Sequence, residues 1–209
     1  VQLHCPPSEI CGKPETYEMM DEIVKKGKIK YYGVSVEKVS EALDAIKHPN
    51  VKSIQIIFNI FRQKPSEIFF HEAKKNNVAI IARVPLASGL LTGKMNNNSS
   101  FPKNDHRNYN INGDAFDVGE TFSGINFAKG LEAVEELKKI KPIDFSLTDL
   151  SLKWILSHPE VTVVIPGAKN KIQAELNVKA SELNEIDSIK DSIKEIYNKY
   201  FKKDIHSNW

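Results

Sequence analysis

Short apolar runs alternate with amphipathic ones along most of this chain, and that alternation constrains the fold more than any single motif. Val1–His4, Lys30–Val36, Lys52–Phe58, Val78–Val84 and Thr162–Ile165 are strand-like: short, apolar and rich in β-branched residues. Helical patterns lie between them. Pro14 opens a run with Tyr17, Met20, Ile23 and Val24 on one face, ended by Gly27. Glu37–Ile46 and Ile68–Asn77 follow, then the spacing Phe127, Leu131, Val134, Leu137, then Thr148–Ser157. After the last strand, Pro166 and Gly167 turn the chain into a basic helix that opens at Lys169 and Asn170. Ile186, Ile189, Ile193 and Ile196 line a final helix.

Strands alternating with helices of this length predict right-handed βαβ units and a parallel sheet. A doubly wound dinucleotide fold carries G-x-G-x-x-G after a strand, and this sequence has none. The remaining α/β architecture is a (β/α)8 TIM barrel, which takes about 250 residues. With 209 residues the chain supplies only about five βα units, strands 4–8. It reads as one domain, 1–209, whose Val1 start falls inside a strand, as in an N-terminally truncated barrel. Residues 95–126 lack periodicity and are rich in Asn, Ser, Gly and Asp, which predicts a long surface loop, either a functional lid or a partly disordered segment.

Composition narrows the function classes. A formal net charge of +2 leaves no electrostatic reason for a nucleic-acid or membrane-surface partner. No apolar run reaches the length of a membrane span, and no leader pattern opens the sequence. Cys5 and Cys11 form no metal-ligand pattern, and so few cysteines suit reduced thiols and a cytoplasmic setting.

Barrel enzymes work at the C-terminal ends of their strands. The polar residues that the strand assignments place there are His4, Ser35, Gln55 with Asn59, Arg83, and the turn from Pro166 to Lys171. The last of these is a strand that delivers a helix N-terminus. The first backbone N–H groups of a helix have no internal partner, so such a turn suits a phosphate, and Lys169 and Lys171 stand at it. Taken singly, a strand-end histidine is more often a structural hydrogen-bonder, and a glutamine in an apolar strand more often a satisfied amide. Their convergence on one mouth favours a phosphate-bearing ligand.

In their order, LHCPP, IKYYGVSV, IQIIFNIFRQ, ARVPLASGLLTGK, VTVVIPGAKNKIQAELN and IYNKYFKKDIHSNW resemble the aldo-keto reductase family over nearly the whole chain. The resemblance implies a barrel that binds extended NADP(H) and reduces an aldehyde or ketone, a small-molecule carbonyl substrate. His4 matches the family's catalytic histidine, while the family's catalytic Asp, Tyr and Lys belong to strands before it. Ser35 and Gln55 match residues that hold the nicotinamide carboxamide; Val36 stands where an Asn is common. Arg83 falls where many members stack an aromatic ring on the nicotinamide, a role that a planar guanidinium can also fill. Leu86, Ser88 and Leu91 match the loop that crosses the pyrophosphate. Gly167, Ala168, Lys169, Gln173 and Asn177 match the adenosine-phosphate end, with Lys169 the main positive contact. The same resemblance allows a second class, a nucleotide-binding regulatory subunit without catalysis.

Overall fold

The computed structural model describes all 209 residues. Five parallel strands lie side by side in sequence order: β1 (Gln2–His4), β2 (Tyr32–Ser35), β3 (Val51–Ile57), β4 (Ala79–Arg83) and β5 (Val161–Val164). Helices cross between them on one face: α1 (Ser8–Cys11) and α2 (Pro14–Lys25), α3 (Val39–Ala45), α4 (Phe69–Lys75), and α6 (Phe127–Ile140) with α7 (Leu147–Leu156). The short α5 (His106–Tyr109) lies in the long connection after β4, and α8 (Lys171–Lys179) and α9 (Lys190–Tyr197) follow β5. The expected parallel partial barrel is therefore present, each strand within a few residues of its predicted bounds.

Local chemistry explains the helix starts. Proline occupies the first position of α2, where its missing N–H costs nothing. The Glu41 carboxylate, reaching back from the first turn of α3, accepts the Glu37 and Lys38 N–H groups at 3.0 Å each. Ser146 and Asp149 cap α7 reciprocally.

Register fixes which side chains face which way. Leu3, Val34, Ile54 and Ile80 are aligned across four strands, and with Ile56 and Ala82 they face the helices and form the core. Trp154 of α7 stacks on Phe58 at 4.9 Å between centroids, and Phe70 of α4 meets the same ring edge-on at 4.7 Å. Alternate residues face the concave side. Gln2, Gly33, Ser53 and Ala79 form one row there, and His4, Ser35, Gln55 and Ile81 the next.

Two sequence expectations need correction. Thr162–Ile165 reads as a buried strand, but β5 is the sheet's last strand, with Thr162 and Val163 exposed. The helix after it, α8, buries no residue, and Ile172, Leu176 and Val178 stand in solvent beside Val163 and Ile165. Neither apolar count nor periodicity reveals that one side of a strand has no neighbour. Residues 95–126 run as a long and mostly exposed or half-buried connection with no helix longer than the four residues of α5, anchored at a few buried positions. Asn110, Thr121, Phe122 and Ser123 are buried, and the Asn110 carboxamide oxygen accepts the Ala115 and Phe116 N–H groups. The Asn and Asp content that suggests a loose loop is what satisfies this loop's backbone. The second concerns the final helix: Ile186 and Ile189 precede α9, which carries Ile193 and Ile196 and continues through a π-turn at Asn198–Lys202. That turn keeps Tyr197, Phe201, Ile205 and Trp209 on one buried side at four-residue intervals. No helix is long and apolar enough to cross a membrane.

Candidate functional site

The predicted mouth exists. His4, Ser35 and Gln55 are in register across β1, β2 and β3, and Arg83 ends β4, all on the concave side. His4 is exposed at the end of a strand with one free edge. Ser35 is buried, its hydroxyl 3.5 Å from the Cys5 thiol, which burial pushes up from its ordinary pKa. The Gln55 amide donates to Gln2 Oε1 at 2.7 Å, and Gln2 donates in turn to Ser53 Oγ at 3.2 Å. This chain holds the Gln55 head group in one orientation while its carbonyl oxygen takes no partner. Asn59 is fully employed, donating to the Val84 carbonyl and Ser123 Oγ and accepting the Phe61 N–H. It joins the two mouth loops and is unavailable to a ligand.

Arg83 lies at the centre of a charged cluster that the sequence did not announce. Its side chain is 8% exposed and pairs with Glu37 at 2.7 Å and with Glu120. It also donates to the Val36 carbonyl at 3.2 Å. Burial opposes its charge, but Glu37 and Glu120 outweigh that, and its pKa is raised. Burial pushes the Glu37 carboxyl up, and Glu120 adds to this against the pull of Arg83. Cys5 Sγ and the Glu37 and Glu120 carboxylates lie within 4.8 Å of one another, the Arg83 guanidinium being their shared cation. Behind them Arg62, 2% exposed, donates to the Glu37 carbonyl at 2.6 Å. Burial lowers its pKa to about 10, although Glu37 and Asp117 support the charge. Arg62 could have been suspected from sequence: a lone charge in the apolar run IFNIFRQ needs partners if it folds inward. Glu37 and Glu120 carry no such local signal.

The loop after β4 departs from ordinary backbone. Val84, Ala87 and Ser88 have φ of 53°, 46° and 55°, and in the facing loop Phe122 and Ser123 have 50° and 61°. A β-branched residue with positive φ is an outlier, and such strain collects at functional sites. The two strained loops bind each other: Ser88 Oγ donates to the Glu120 carbonyl at 3.1 Å and accepts the Phe122 N–H at 3.0 Å. Leu86 is half-buried, while the Leu91 side chain belongs to the core and its N–H is bonded to the Leu86 carbonyl. Leu91 therefore offers the mouth no side chain.

Across the mouth, the α8 opening is exposed and locally braced. Asn170 caps the helix by accepting the Gln173 N–H, Gln173 Oε1 accepts the Lys169 N–H at 2.7 Å, and Asn177 donates to the Gly167 carbonyl at 3.2 Å. Gln173 and Asn177 thus shape the 167–170 turn. Gly167 has open space around its Cα, Ala168 is exposed, and the Lys169 side chain has no carboxylate partner. The donor set suits a dinucleotide: amide and hydroxyl groups with the Arg83 guanidinium at one end, and an unpaired ammonium at a helix N-terminus at the other.

A partial parallel barrel with its polar groups gathered at the strand C-termini defines an α/β-barrel protein with its candidate site at that end. The sequence profile of the Aldo/keto reductase family matches residues 1–198, and the chain belongs to that family. It is 34% identical over 174 residues to Aldo-keto reductase str7 of Strobilurus tenacellus, a match that spans 80% of this chain and 48% of the relative. It is 27% identical over 180 residues to Aldo-keto reductase yakc [NADP(+)] of Schizosaccharomyces pombe, spanning 84% and 50%. The solved glycerol dehydrogenase of Gluconobacter oxydans superposes with a TM-score of 0.72 at 26% identity, over 95% of this chain and 58% of that one. The chain thus spans about half the length of the curated relatives it matches.

Proposed function

We propose that the whole protein is an NADP(H)-dependent reductase of aldehydes or ketones, and that residues 1–209 carry most of its cofactor site. The observation that carries this reading is the alignment of Ser35 and Gln55 on one concave face, with Arg83 beside them at the next strand end and an unpaired Lys169 at the helix opening beyond. A relative whose name carries NADP(+) supports the cofactor choice. The Ser35 hydroxyl and the free Gln55 carbonyl match the donor and acceptor of a carboxamide, and the Arg83 guanidinium, held by Glu37 and Glu120, is the group that would stack on a flat ring. Bound there, a reduced nicotinamide would supply hydride to the carbonyl carbon.

Hydride transfer leaves negative charge on the carbonyl oxygen, and a positioned acid must protonate it. His4 is the titratable group at the β1 end of the mouth. None of the chain's six tyrosine side chains is hydrogen-bonded to a residue of the mouth. Tyr17 donates to the Cys11 carbonyl, Tyr32 to Asp21 and Tyr200 to Glu136, Tyr197 bonds His206, Tyr109 packs on Phe116, and Tyr31 precedes β2. None is bonded to His4. The resemblance to the family implies that the acid is a Tyr of a strand before β1, and this reading keeps it there. The expected result is NADPH oxidation by the whole protein with a panel of aldehydes and ketones, and none by residues 1–209 alone. Turnover by the 209-residue chain overturns the assignment of the acid.

A relative named as a probable voltage-gated potassium channel subunit beta of Arabidopsis thaliana, 28% identical over 183 residues, favours the non-catalytic reading. Intact NADPH binding without turnover by the whole protein decides for it.

Lys169 supplies the phosphate end. Lys169→Ala is expected to weaken NADPH binding roughly tenfold and leave NADH within about twofold, since only the former carries a 2′-phosphate for the ammonium. Titration by cofactor fluorescence measures both. Equal losses show that Lys169 does not read the 2′-phosphate.

A further inference from the structure

Trp209 is 6% exposed, although nothing in its sequence context requires a buried residue there. The indole N–H donates to Asp117 Oδ1 at 3.0 Å, and the same oxygen accepts the Gly119 N–H at 2.7 Å, closing the turn that carries Glu120. The Arg62 guanidinium lies 4.0 Å over the centre of the ring. Two glycines let the loop approach this closely. A Cβ on Gly124 would run into Trp209 Cη2, and one on Gly119 would strike Arg62 Nη1 and lie 3.1 Å from the indole Cε2. Arg62 in turn holds the Glu37 carbonyl, and Glu37 and Glu120 together grip Arg83. One continuous set of contacts therefore runs from Trp209 by two routes, Asp117 to Glu120 and Arg62 to Glu37, to the same guanidinium.

We propose that Trp209 is a positioning residue for the nicotinamide end of the cofactor site: it pins the 117–124 turn and, through Arg62 and Glu37, fixes the plane of Arg83. The proposal rests on the reading of the mouth as a dinucleotide site. Trp209 itself touches neither the Ser35–Gln55 row nor the α8 turn. Its removal therefore weakens only ligands that reach Arg83.

The test compares Trp209→Ala and Trp209→Phe with the unaltered residue, all in the whole protein, using hydrogen exchange and two ligands. Trp209→Ala is expected to speed exchange at the Gly119, Glu120 and Gly124 amides by about tenfold or more, with β3 amides unchanged. It is expected to weaken NADPH binding about tenfold and leave adenosine 2′,5′-bisphosphate, which stops short of the nicotinamide, within about twofold. Trp209→Phe keeps a ring over Arg62 but loses the bond to Asp117, and both effects should be intermediate. Unchanged exchange in the turn overturns the latch, whatever the cofactor does. Faster exchange with NADPH affinity unchanged, or with equal losses for both ligands, overturns its link to Arg83. If the unaltered whole protein binds neither ligand, the dinucleotide reading and the positioning role fall together. Faster exchange confined to the turn would then leave only the packing of Trp209 standing.

Discussion

Replacing Gly33 by alanine is expected to lower the midpoint of thermal unfolding by roughly 6–12 °C, from a loss of about 3 kcal/mol. Gly33 occupies the concave row between Gln2 and Ser53, where the β2–β3 register shifts. The shift brings the strands so close that a Cβ on Gly33 would overlap Ser53 Oγ and the Ser53 carbonyl oxygen, with the carbonyl carbon at 3.0 Å. A hydroxyl can rotate away; a carbonyl in a parallel ladder cannot move without breaking its neighbours' hydrogen bonds. The smallest side chain is therefore already too large. Gly12 is the control, because its Cα faces open space at a φ of −97°, and Gly12→Ala should leave the midpoint within about 2 °C. Differential scanning calorimetry on both variants gives the answer. A Gly33→Ala midpoint matching the control means the two strands can separate at that point without loss.

Period and punctuation explain what was legible. Strands such as VAIIARV carry β-branched residues between turn signals, and their order already placed Arg83 with Ser35 and Gln55 at one end; the register adds that they share the concave face. Helix starts were marked by Pro14 and Asn170, residues whose capping chemistry is local. What escaped was set by distant partners. Glu120 reaches Arg83 across 37 positions, and Trp209 reaches Asp117 across 92. No window of sequence holds both members of either pair. The exposure of β5 and α8 was illegible for a related reason: VTVVI has the same composition at a sheet's edge as at its centre. Family resemblance supplied Ser88 and Leu91 as cofactor contacts. The structure commits the Ser88 hydroxyl to the facing loop and the Leu91 side chain to the core.

The second large effect concerns Arg83 itself. Arg83→Met keeps an unbranched side chain of similar reach but leaves Glu37 and Glu120, 15% and 26% exposed, facing each other without their shared cation. Breaking a buried pair from one side is expected to cost about 3 kcal/mol near pH 8, because an uncompensated carboxylate stays behind. The sign of the pH dependence follows from Glu37. Its folded pKa is already raised by burial and by Glu120, with Arg83 opposing. A carboxyl with a raised folded pKa binds more protons in the folded state, so its contribution to stability is fully present below the unfolded value, about 4.3, and is lost as pH rises through the folded one. Removing the guanidinium takes away the opposing influence, raises that folded pKa further and widens the window over which stability is lost. The penalty of Arg83→Met should therefore be smallest near pH 5 and largest near pH 8. Adding Glu37→Gln and Glu120→Gln to Arg83→Met removes the stranded charges and should recover most of the loss at pH 8. Urea unfolding of the single and triple variants at both pH values measures this. An equal penalty at pH 5 and pH 8, with no recovery in the triple variant, would mean that Arg83 contributes packing alone and that the two glutamates do not depend on its charge.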